Sequence, residues 1–147
     1  MNIHASLFAI KNPLHMIDRC LHPYRHHATI SYRKHDLAID LTQRARTELL
    51  KRRTPLKVEM QLYFSCVVKK RVLFHEATEL KTLPVDNQLE IVFRLVQASS
   101  CDPLEFARNF PIKQEFTGPA AKKIHPKRLS LDFKHKHWLG EFYISDP

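Results

Sequence analysis

Ten histidines and three cysteines give this sequence imidazoles and thiols that can hold a metal or act as a nucleophile. His135 and His137 form an H-x-H pair that, within one extended strand, would turn both imidazoles to the same face. Cys20, His22, His26 and His27 lie close together in sequence. Imidazole and thiolate suit Zn²⁺ or Cu, which take three or four such ligands. Neither group has a standard zinc-ligand spacing, so the H-x-H pair would need His125 or Asp132 to complete it. Cys101 precedes a predicted helix N-terminus, which favours the thiolate, but Asp102 beside it opposes that effect. Asp36 and Asp40 share one side of an extended segment at a separation of about 13 Å, too far for a glycosidase carboxylate pair, and read as solvated charges.

The second chemistry is electrostatic. The chain carries 24 Lys and Arg against 15 Asp and Glu, a net charge of +9. These cations crowd into two segments: from Arg19 to Arg71 the balance is +9 and from Ile112 to Lys136 it is +5, whereas Val72 to Pro111 carries −3. Such a distribution favours an anionic partner. The residues expected to meet phosphates are Arg44, Arg46, Lys51, Arg52, Arg53, Lys69, Lys70 and Arg71. Tyr63, on the mixed side of an alternating segment, is the expected stacking ring for a base. No RNP-like, zinc-finger or GXXG signature accompanies them.

Glycine narrows the classes further. Gly118 and Gly140 are the two glycines of the chain, and neither sits in a Gly-rich loop. A P-loop, a dinucleotide-binding turn and a nucleophile elbow all need several glycines for tight turning or close backbone approach, so their standard forms are excluded. No apolar run approaches the roughly 18–20 residues of a transmembrane helix. The short apolar patch Leu7 to Ile10 has no cationic leader, so secretion is not expected. An odd number of widely spaced cysteines reads as reduced thiols and a cytoplasmic location.

The elements that must position these groups follow from periodicity. Asn12-Pro13 opens a short amphipathic helix with Leu14, Ile17 and Leu21 on one face. Thr29 to Leu41 reads as one or two extended pieces, and Thr42 to Arg53 as a helix with Leu41, Ala45 and Leu49 aligned and cations in its last turn. Leu56, Val58, Met60, Leu62, Phe64, Cys66 and Val68 alternate with a mixed face and predict the clearest strand. Lys69-Lys70-Arg71 is then expected as the cationic tip of a hairpin that pairs Val68 with Val72 and Cys66 with Phe74. Leu89, Ile91, Phe93 and Leu95 predict a further strand, Asp102-Pro103 a short helix, and Pro111 to Pro126 a loop. Leu129, Leu131 and Phe133 predict a last strand with a partner around Phe142 to Ile144.

The expected architecture is one α+β domain over residues 1–147, mainly an antiparallel sheet with one face packed by short helices. The expected function is that of a non-enzymatic, small basic binding protein for an anionic partner, nucleic acid foremost, with no cofactor and no membrane. Two alternatives stand beside it. One is a metal- or small-anion-binding enzyme built on histidines such as His135 and His137. The other is a homo-oligomeric interaction module, a homodimer burying the mixed face of Tyr63, Val67, Val92 and Val96.

Overall fold

An apolar residue at every second position of two strands, with a mixed set between, builds the centre of the molecule. The computed structural model describes residues 13–64, 68–98, 113–115 and 118–144. Strand β3 (Leu56–Phe64) turns Leu56, Val58, Met60 and Leu62 into the core, and β6 (Leu89–Ala98) turns Leu89, Ile91, Phe93 and Leu95 to the same side. The two strands run parallel in register, with Val58 opposite Ile91 and Met60 opposite Phe93. Antiparallel strands flank them: β4 (Val68–His75) on β3, and on β6 the two-residue β5 (Leu83–Pro84) with, further along, β7 (Lys113–Glu115).

A second sheet repeats this plan. Strands β1 (Tyr24–Tyr32), β2 (His35–Thr42), β8 (Pro126–Lys134) and β9 (His137–Ile144) lie side by side in that order. Its inner pair, β2 and β8, is parallel and its outer pairs are antiparallel. Leu37, Ile39 and Leu41 of β2 meet Leu129 and Leu131 of β8 on the face that packs against the first sheet. One hydrophobic cluster joins both sheets, and Phe93 and Phe142 meet edge to face across it at 5.8 Å. The class is α+β, as expected, but the core lies between two sheets, each with a parallel pair at its centre. A parallel pair cannot be closed by a tight hairpin. No local sequence pattern therefore announces β2 with β8, whose paired residues are some ninety positions apart.

The helices contribute less to the core than their periodicity suggests. In α1 (Pro13–Leu21) no residue is buried: Asp18 and Arg19 make its ion pairs with β8 and with α2 (Gln43–Leu50), while Leu14, Met16, Ile17 and Leu21 are exposed. Helix α2 buries Ala45 and Leu49, and Thr42 caps it by accepting the Ala45 N–H at 3.2 Å. A single 3₁₀ turn at Ala121–Lys123 and strand β7 lie in the region expected to be loop.

Two turns correct the expected positions of charged residues. Strand β4 pairs with β3 from Phe64–Val68 to Lys57–His75, so Lys69, Lys70 and Arg71 lie within a strand and not at a hairpin tip. In this register Val72 and Phe74 face Met60 and Val58, so apolar residues still meet apolar residues across the two strands. His135 and Lys136 form the two-residue turn between β8 and β9, both with positive φ, and His137 begins β9. The H-x-H pair therefore spans a chain reversal and not one strand face. Cys66, Val67, Cys101, the helix expected from Asp102 and the patch Leu7 to Ile10 lie outside the described residues. Among the described residues no helix is long and apolar enough to cross a membrane.

Candidate functional site

Most of the cations expected to meet phosphate are engaged by groups of the chain itself. Arg44 donates from Nε and Nη2 to Asp132 at 2.7 Å each and from Nη2 to Asp18 at 2.9 Å. Arg46 pairs with Asp86 at 3.2 Å, Lys51 with Glu48 at 3.1 Å, and Arg52 with Glu76. Arg71 donates to Gln61 at 2.6 Å, and Lys70 donates to the Phe142 carbonyl at 3.0 Å and lies over the Tyr143 ring. Arg53 and Lys69 are exposed. Tyr63 is 0% exposed, so its ring offers no face to a base. Val92 and Val96, beside it on the same side of the sheet, are also buried within the single chain and offer no apolar surface to a second copy.

Asp132 shows why Arg44 is held. The carboxylate is buried and accepts from Thr42 Oγ1 at 2.6 Å, from Arg44, and from the Phe133 N–H at 2.7 Å. Burial pushes its pKa up, but the hydrogen bonds from Arg44, Thr42 and Phe133 outweigh it and bring the value down to about 2. The hydrogen bond from Arg44 likewise holds Asp18 below the usual carboxylate range. This cluster ties α1, α2 and β8 together and is occupied with that work.

Two further buried carboxylates hold histidines. Asp40, expected to be solvated, is 4% exposed and binds His27 Nδ1 at 2.6 Å together with Arg128. It faces Ser130 across the β2–β8 pair, where a neighbouring strand removes water. Glu59 binds His75 Nε2 at 3.0 Å and Arg94 at 3.2 Å. A carboxylate behind an imidazole is the arrangement that orients a general base or a metal ligand. Among the described residues, however, no three His, Cys, Asp or Glu side chains come together as a metal-binding group.

Cations converge elsewhere. Strands β5 and β7 leave a gap along the edge of β6, and the turn between β1 and β2 fills it: the Tyr32 hydroxyl accepts the Phe93 N–H at 2.9 Å, and Arg33 donates to the Phe93 carbonyl at 3.0 Å. Arg33 and Lys34 form this turn with φ of 50° and 69°. On one side of it lies a cleft of about 650 Å³, rimmed by Arg33, Lys34, Lys122 and Glu115 and floored by Leu95, Ala121 and Ile124. His35 and His125 stand in its wall, stacked at 3.7 Å with ring planes 4° apart. His125 Nδ1 is buried without a hydrogen-bond partner among the described residues. A second cleft of about 470 Å³ shares Arg33 and Glu115 and adds Lys81 and Arg94.

Among the described residues, five cations thus face one carboxylate across two adjoining clefts. They come from four places in the sequence, and Lys81 and Arg94 belong to the stretch whose net charge is negative. Charge counting along the chain cannot find such a site, because the gap in the β6 edge that brings its parts together is a property of the sheet. The signal available in sequence is Arg33-Lys34 between two alternating segments, the position of a two-residue turn, and it is masked by the absence of Gly or Asn there. The basic tip does exist, but it is this turn and not Lys69 to Arg71. Compared with protein-family models, curated proteins and solved structures, the chain matches none.

Proposed function

We propose that the protein is a binding module for nucleic acid and that phosphates meet it at the paired clefts beside the β1–β2 turn. The observation that carries this reading is the convergence of Arg33, Lys34, Lys81, Arg94 and Lys122 around one carboxylate, Glu115. Arg33 and Arg94 also hold groups of the fold, Arg33 the Phe93 carbonyl and Arg94 Glu59, so the exposed lysines are the first to meet an incoming anion. Two adjoining clefts with several cations suit a repeating polyanion, whose successive phosphates can engage several of them at once and release counterions as they do so. Lys70 and Arg71 are hydrogen-bonded within the fold, so a phosphate would have to compete for them.

The test is a fluorescence-anisotropy titration of the full chain with labelled RNA and DNA across a salt series. Lys34→Gln with Lys122→Gln is expected to lower the slope of log affinity against log salt by about 1.4 for a single strand, about 0.7 for each phosphate no longer neutralised. Lys69→Gln with Lys70→Gln is expected to leave that slope nearly unchanged. The reverse outcome would move the phosphate site to β4, and absence of binding at about 0.15 M salt would refute the nucleic-acid reading.

A further inference from the structure

Phosphate binding alone needs charges at a surface; it does not need an apolar floor or an aromatic wall. The larger cleft has both. Leu95, Ala121 and Ile124 form its floor, the stacked imidazoles of His35 and His125 stand in its wall, and Lys34 and Lys122 lie at its rim. Its volume of about 650 Å³ falls within the roughly 300–1,000 Å³ typical of pockets that enclose a small organic group. We infer that this cleft accepts one unstacked base of a single-stranded nucleic acid, an inference that rests on the nucleic-acid reading above.

The geometry gives each part of a nucleotide a place. A base is flat and apolar on its faces, so it suits the aliphatic floor and can extend the imidazole stack, of which His35 is the exposed member. The phosphates on either side of that base carry the charge that Lys34 and Lys122 complement. In a duplex the bases are paired and stacked on one another, so only the backbone could reach the rim and the floor would stay wet. Selectivity should therefore favour single strands over duplex without strong dependence on base identity, because every base has faces that stack.

The experiment compares three labelled ligands of equal length, about 12 nucleotides, with the full chain at about 0.15 M salt: oligouridine, the same backbone with every base removed, and duplex RNA. The single strand is expected to bind at least about 10-fold more tightly than either of the others. His35→Ala, at an exposed position, should weaken oligouridine about 5- to 10-fold and leave the abasic strand and the salt slope unchanged. Equal binding of the abasic strand, or no effect of His35→Ala, would overturn the base-binding inference while leaving the phosphate site standing. Failure of all three ligands to bind would overturn the nucleic-acid reading itself.

Discussion

Arg44 and Lys34 belong to the same basic segment of sequence, yet they do different work because their neighbours differ. Arg44 is matched by two carboxylates from sequence-distant elements, Asp18 and Asp132, and its charge is spent within the fold. Replacing it by Met leaves the buried Asp132 with Arg19, at 3.4 Å, as its remaining cation, so a loss of up to about 3 kcal/mol in chemical denaturation is expected, with no specific effect on the salt slope of the folded protein. The pH dependence follows from the same group. Asp132 has a folded pKa of about 2 against the ordinary 3.8, so its contribution is complete above about pH 4 and is lost as pH falls towards 2. Stability should thus drop by about 2 kcal/mol across that window through this carboxylate, and Asp132→Asn should flatten the drop at the cost of a lower plateau. The sequence shows that Arg44 and Asp132 are charged, but nothing in it says that they meet.

At the scale of elements, alternation makes the strands legible and leaves their partners hidden. Leu56 to Leu62 and Leu89 to Leu95 are read correctly as strands with one apolar core face, because period-two patterning follows directly from the pleat, but their mixed face, with Glu59, Gln61, Tyr63 and Val92, is buried as well. Their parallel pairing is not written in either strand. The two-residue turns escape a sequence reading for a related reason: Arg33, Lys34, His135 and Lys136 all hold positive φ without being Gly or Asn, which costs about 1 kcal/mol or more at each L-residue. Replacing His135 by Asn and Lys136 by Gly should therefore raise stability by about 1 kcal/mol, or about 3 °C in Tm, without touching the cleft. Gly140 shows the opposite constraint. A Cβ there would lie 2.9 Å from Val72 Cγ1 and 3.1 Å from both Leu131 Cδ2 and Phe74 Cζ, where β9 approaches β4. Gly140→Ala is expected to cost about 1–3 kcal/mol by overpacking, and adding Val72→Ala should recover part of that loss in a double-mutant cycle.

At the scale of the whole molecule, the α+β class is accessible from the order of periodic segments, but the division into two sheets is not. The expected single sheet would have needed helices to cover it; here the second sheet does so, and α1 turns Leu14, Ile17 and Leu21 outward. The candidate site belongs to this scale too, since Arg33, Lys81 and Lys122 become neighbours only when both sheets are in place. The central β2–β8 pairing has one more consequence, and it concerns the order of events during synthesis. Strand β2 is made early, but the strand it needs on its inner side follows only after residue 126. Until then the emerging chain presents Leu37, Ile39 and Leu41 beside an unpaired backbone edge, a template for the wrong neighbour. A ribosome stalled before Pro126 should hold a nascent chain that is sensitive to protease and engaged by chaperones, and release of the β8–β9 hairpin should end both conditions together.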